Sequence, residues 1–359
     1  MRESMKGFFL IIGLSIVIGP SAVEGALFTE GKPSLTIKYK QSYNSNLLLY
    51  SPRDRGRFLN GTEAHPSSIK TLDDLRTDLR AVAGLNYRLF GRHRGRATLQ
   101  LNFSHFLQNP LKNAGLISLS LKQDLTGKWS MLLYYLFEPH YYLRDYIDVN
   151  TRLRQHCEFA LDKWIGKVYF QPRRFVEIIG RFEYKRYAYS KYFTEYDGDL
   201  NSLGSEVVFR RGTWRVSCSY MLNRFDNLGF SSSDPLPPGD YNEDTETGDS
   251  DYQEDQYALS VRRSFKLLGR RSALKFEQSI ADRYYSTAQS PDLDPIHHGR
   301  RDIVLKTSIS GTVALSRKVD IELGVEFKRR DSEASAPIVS EIKDYCRWIG
   351  WVQFGCKLF

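Results

Sequence analysis

Charged side chains recur at every second position in several stretches of this chain. Arg76, Asp78 and Arg80 form one such set, Arg181, Glu183 and Lys185 another, and Glu322 and Glu326 keep the same rhythm. Successive side chains of an extended strand point to opposite faces, so each set lies on one face. The same parity puts Lys38, Arg215, Arg262 and Lys306 on that face. Interleaved cations and carboxylates of this kind form a charged lining. Arg and Lys in it lower the barrier to anions, while Asp and Glu balance them.

Other chemistry finds less support. Nucleophilic catalysis needs a Ser within reach of an oriented His. His105 shares a face with Phe103 and Leu107, whereas Ser104 points the other way. His297 and His298 lie near Asp292 and Asp294, but adjacent side chains diverge and no third metal ligand is defined. His65 and His93 read as loop and turn residues. The stretch 229–252 and its flank carry Asp234, Asp240, Glu243, Asp244, Glu246, Asp249, Asp251, Glu254 and Asp255 with no Lys or Arg. Its spacing departs from an EF-hand loop, and a solvated surface loop is the simpler reading. Neither a glycine-rich phosphate loop nor a nucleotide fingerprint occurs. The sequence thus predicts no enzyme, no cofactor and no metal site.

The elements that position the charges are strands. Period-2 apolarity bounded by turn residues predicts about fourteen, at 33–50, 73–90, 95–108, 112–125, 128–142, 151–170, 173–190, 199–211, 213–228, 253–268, 272–287, 300–316, 319–331 and 343–359. Connections alternate between tight turns, several at Gly, and long loops, with a short one near Asn109-Pro110 as the exception. In 319–331, Ile321, Leu323, Val325 and Phe327 oppose Asp320, Glu322, Glu326 and Lys328. Parity also assigns Glu158 and Asp162 to the polar face. The stretch 128–142 is apolar on both faces, and parity does not assign it.

Arg2 and Lys6 precede an apolar run from Gly7 to Gly19, a pattern that reads as a removable signal peptide over 1–25. No later run has the ~18 apolar residues of a spanning helix. Mean hydropathy is low, at -0.44. A barrel tolerates that, because only alternate strand residues face lipid. Aromatics make up 13%, with 22 Tyr and 21 Phe, and many fall near strand ends, where interface belts form. The net charge of +9 alternates with apolar residues instead of clustering, which argues against nucleic acid. Cys218, Cys346 and Cys356 fall on the apolar face and read as small hydrophobes.

The ending Phe354-Gly355-Cys356-Lys357-Leu358-Phe359 resembles the C-terminal signal of bacterial outer-membrane β-barrels. That resemblance implies recognition of Phe354, Leu358 and Phe359 by the barrel assembly machinery. Lys357 departs from the pattern, and Phe359 falls on the opposite parity to Phe354 and Leu358. Tyr43-Asn44-Ser45-Asn46 resembles a Tyr-Asp-Ser-Asn stretch in barrels fused to tetratricopeptide repeats, including the surface lipoprotein assembly modulators; it implies no activity here.

The expected architecture is all-β: a signal peptide, then one transmembrane up-and-down antiparallel barrel over 26–359 with both termini in the periplasm. Its setting would be the bacterial outer membrane, among lipids and lipopolysaccharide. The leading functional expectation is a passive or gated conduit for small hydrophilic or anionic solutes. An occluded barrel acting through its extracellular loops is the alternative, and an outer-membrane hydrolase a third.

Overall fold

The computed structural model describes residues 28–62, 68–89, 93–148, 150–151, 153–230 and 248–359. The expected signal segment, His65, and residues 231–247 of the acidic loop lie outside these. Fourteen antiparallel strands close into one barrel. They are β1 (Phe28–Asn44), β2 (Asp74–Leu89), β3 (His93–Phe106), β4 (Ala114–Asp124), β5 (Trp129–Ile147), β6 (Arg154–Arg173) and β7 (Val176–Tyr189). The ring continues with β8 (Gly198–Arg211), β9 (Trp214–Asn227), β10 (Tyr252–Leu267), β11 (Arg270–Tyr285), β12 (Arg301–Ala314), β13 (Val319–Glu333) and β14 (Tyr345–Lys357). Each strand pairs with the next in sequence, and β14 pairs with β1 from Thr36↔Lys357 to Asn44↔Ile349.

The strands run from 11 to 20 residues, at or beyond the roughly 9–11 that a tilted transmembrane strand needs. The apolar parity faces outward: Leu203 is 65% exposed and Leu323 58%, whereas Asp78 is 6% and Glu183 3%. A soluble protein hides its leucines and exposes its acids. The reversal, on a barrel without a free edge, fits a lipid solvent, where every backbone polar group must be paired internally. Fourteen strands spaced ~4.8 Å and tilted ~40° give a barrel about 25–30 Å across at the backbone.

The start of β1, the end of β14 and the tight turns share one end. The β10–β11 turn is two residues, Leu268 (φ 50°) and Gly269 (φ 76°), and Gly212 (φ 57°) serves the β8–β9 turn. The opposite end carries the long connections, including the helix Pro52–Asn60 between β1 and β2 and the short helix Ile338–Lys343 between β13 and β14. The connection around Asn109 belongs to this end. It folds through a 3-10 turn at Pro110–Lys112, with Asn109 buried, donating to Asp74 Oδ2 at 2.8 Å and accepting from the Lys70 N–H at 2.7 Å.

Strand β5 departs from the expectation in length and regularity. It extends to Ile147 with irregularities between Glu138 and Tyr141 and between Tyr142 and Arg144. An unpaired residue resets side-chain parity, so no single alternation describes the strand. Below the irregularities Met131 and Leu133 face outward, and Leu132, Tyr134 and Leu136 lie on the parity of Ser118, Ser120 and Lys122 of β4. The next strand corrects two expectations. Glu158 and Asp162 are turned outward: Glu158 meets His140 Nε2 at 2.6 Å, and Asp162 accepts the Tyr135 hydroxyl at 2.7 Å. The inner face of β6 carries Phe159, Leu161 and Ile165 instead. Phe159 packs there against Tyr187 and Tyr189, so apolarity marks the inside at this point of the wall.

Candidate functional site

The inner wall carries its charge in rows set by strand register. Arg210, Arg215, Arg262 and Lys275 stand directly opposite one another on β8, β9, β10 and β11. Like charges directly opposite destabilise a strand pair, and among the described residues only the ends of this row have close acids. Arg210 meets Glu177 at 2.6 Å and Lys275 meets Glu277 at 2.7 Å. A second row, Lys306, Lys328 and Arg347, crosses β12, β13 and β14. Glu326 lies beside it, 2.9 Å from both Lys306 Nζ and Arg347 Nη2.

On the wall formed by β1 to β3, Lys38 stands opposite Arg80 and Lys40 opposite Asp78. Arg76 pairs with Asp78 at 2.8 Å, and Asp78 also accepts the Ser104 hydroxyl at 2.5 Å. Arg80 Nε reaches Asn102 Oδ1 at 3.4 Å. Glu322 accepts from the Trp351 indole at 3.1 Å, and the Lys40 ammonium sits 4.7 Å from that ring. A cavity of about 440 Å³ joins these groups to the rows; it is lined by Lys40, Arg76, Arg262, Lys275 and Lys306 with Glu277, Glu322 and Glu326. A neighbouring space of about 330 Å³ has a lining rich in Ser, including Ser217, Ser219 and Ser260.

Arg181, Glu183 and Lys185 lie together on β7. Glu183 is 2.9 Å from both Lys163 Nζ and Lys185 Nζ and is bonded to the Arg181 guanidinium. This cluster and the row on β12 to β14 face each other, since β6–β7 and β13–β14 are seven strands apart in a ring of fourteen. Lys163 and Lys167 were not legible as lining residues, because the same parity of β6 carries Phe159, Leu161 and Ile165. The usable signal was their i, i+4 spacing, which gives them one face.

The end with long loops is packed with rings. Tyr146, Phe193 and Tyr196 join Tyr189, Phe159, Tyr187, Phe225, Tyr252, Tyr285 and His297 in a chain of contacts between 5.1 and 6.2 Å. It ties the 190–197 and 286–300 connections to the wall. Arg283 covers Tyr252 at 3.9 Å and donates to Glu254 at 2.8 Å. Helices Pro52–Asn60 and Ile338–Lys343 touch above the wall, with Arg53 3.5 Å from Glu341.

The Tyr43–Asn46 stretch organises the first loop. The Tyr43 hydroxyl donates to Asp73 at 2.7 Å, and Ser45 Oγ accepts the Trp348 N–H at 2.8 Å. Buried Asn46 bonds both backbone groups of Tyr50 and the carbonyl of Cys346. At the other end Phe354 and Leu358 are exposed on the outer parity and Phe359 is exposed at the chain's last residue, and the Leu358 N–H donates to the Leu35 carbonyl at 2.9 Å. His105 is exposed on the outer wall while Ser104 points inward, and His297 and His298 bond separately to Asp294 and to the Gln289 carbonyl.

No family model matches the chain. No curated protein matches it either. Solved structures are similar to it at low sequence identity. A bacterial polysaccharide outer membrane secretin is 8% identical, with 90% of this chain and 98% of that one covered at a TM-score of 0.45. The anion-selective porin from Comamonas acidovorans is 10% identical, with 92% and 100% covered at 0.45. The outer membrane protein OprD from Pseudomonas aeruginosa is 8% identical, with 94% and 96% covered at 0.40. By its own geometry, the chain is a closed fourteen-stranded antiparallel barrel with an apolar exterior.

Proposed function

We propose that the chain is an outer-membrane conduit for small anionic solutes, with both termini in the periplasm. The observation that carries this reading is the row Arg210, Arg215, Arg262 and Lys275, whose central members have no close carboxylate among the described residues. Four cations in register are unfavourable as structure alone. They are useful where water and passing anions screen them, because a charged ring lowers the barrier for the opposite ion. Lys38, Arg76, Arg80, Arg181, Lys185 and Lys306 would extend that field, with Asp78, Glu183, Glu322 and Glu326 moderating it. Phe354, Leu358 and Phe359 would present the last strand to the assembly machinery, and the apolar exterior would meet lipid and lipopolysaccharide.

The test is conductance of the refolded barrel in a planar bilayer, with reversal potential under a salt gradient. The expected result is stable steps with anion preference, moved towards cations by Arg215→Glu with Arg262→Glu. Silence from a barrel shown to be folded overturns the conduit. It would favour the second reading, an occluded barrel working through its loops, for which the helix contact at Arg53 and Glu341 is the supporting observation.

A further inference from the structure

The cluster on β6 and β7 holds more positive charge than its ion pairs need. Lys163 stands directly opposite Lys185, and Lys167 directly opposite Arg181, in the β6–β7 register. These two like-charge pairs flank a single carboxylate, Glu183, which stands opposite Ile165. Glu183 is nearly sealed at 4% side-chain exposure, while Lys163, Lys185 and Arg181 retain between 21% and 31%. The carboxylate therefore sits behind, and the cations stand forward of it on the inner wall.

Their donors are not exhausted. An ammonium has three N–H groups, and each lysine directs its nitrogen at the same Glu183 oxygen. The Arg181 guanidinium engages Glu183 through Nη2, and its buried Nε has no acceptor. A group with several acceptor oxygens and negative charge meets the forward-standing ammonium donors together; chloride, a single sphere, does not. Arg and Lys on a carboxylate or phosphate make charge-assisted bonds, and the guanidinium adds directional fit.

We propose that Lys163, Lys185 and Arg181, held in place by Glu183, form an oxyanion-binding station that takes the phosphate or carboxylate group of a solute in the lumen. The proposal rests on the conduit reading and names the chemical group that the conduit prefers.

Equilibrium dialysis of inorganic phosphate against the refolded full barrel in detergent tests it. Saturable uptake is expected, and Lys163→Gln with Lys185→Gln should weaken it at least tenfold in a variant whose circular dichroism still reports a barrel. Arg181→Lys keeps the charge and removes the planar guanidinium, and should weaken uptake at least threefold; full retention would overturn the assigned geometry. Displacement by succinate extends the station to carboxylates, whereas phosphate uptake insensitive to succinate assigns it to phosphate. Chloride conductance without saturable phosphate or succinate uptake overturns the station and leaves the conduit standing. Phosphate uptake by a barrel silent in bilayers overturns the conduit and leaves the station.

Discussion

The Arg300 guanidinium meets the Asp302 carboxylate through two bonds, Nε to Oδ1 at 2.8 Å and Nη2 to Oδ2 at 2.7 Å, with both side chains almost completely buried. Arg330 lies within electrostatic reach of the same carboxylate. Removing one partner of a buried pair strands the other charge in a low dielectric. Asp302→Ala should therefore destabilise the barrel by about 3–5 kcal/mol. Denaturant unfolding in detergent reads the loss, and an unchanged midpoint would refute the argument.

Lys112 gives a pH dependence at the end with long loops. Its ammonium donates to the Tyr142 carbonyl at 2.9 Å and the Leu143 carbonyl at 2.6 Å. Burial, reinforced by Arg144, pushes its pKa down from 10.5 to about 7. Below that value both folded and unfolded chains carry the proton, and the burial penalty is constant. Between about 7 and 10.5 the unfolded chain holds more protons, so stability rises with pH. The thermal midpoint of wild type relative to Lys112→Met should improve across that window and stay flat below it.

Glu195, in the β7–β8 connection, should show the reverse slope. Burial pushes its carboxyl up from 4.5 to about 7, with Asp148 and Asp197 adding to the rise. Between those values the folded state holds more protons than the unfolded, so stability falls as pH rises. Glu195→Gln should remove that fall. Midpoints of the two proteins that run parallel from pH 4.5 to 7 would sink the prediction.

Leu268 adopts φ 50° and is 93% exposed in the two-residue turn before β11. A left-handed backbone costs a residue with Cβ roughly 1–2 kcal/mol, and Asn-Gly suits such a turn far better than Leu-Gly. Leu268→Asn should therefore stabilise the barrel by about 1 kcal/mol. Unfolding midpoints of the two refolded proteins decide it.

The strand number, the alternation of tight and long connections and the outward apolar face were legible because period-2 patterning is a local property. In 319–331, Leu323 and Val325 declare the outside without knowledge of neighbouring strands. Strand β6 was misread where locality fails: Phe159 is apolar because Tyr187 and Tyr189 pack on it, and those residues belong to the next strand. The irregularities in β5 are equally hidden, since they are defined by the pairing with β6. Register explains the rest. Arg215 and Arg262 are 47 residues apart, and only the β9–β10 alignment makes them neighbours.

The pairing of β1 with β14 has a consequence for how the molecule is made. Asn46 and Cys346, which meet beside it, are separated by 300 positions along the chain. Thirteen strands, however well formed, leave two raw backbone edges that neither lipid nor water-free protein can satisfy. The seam can be sewn only after the last strand has been synthesised, so a chain cut short of β14 lacks the edge to which β1 is matched here, and completeness of translation becomes a condition for this closure.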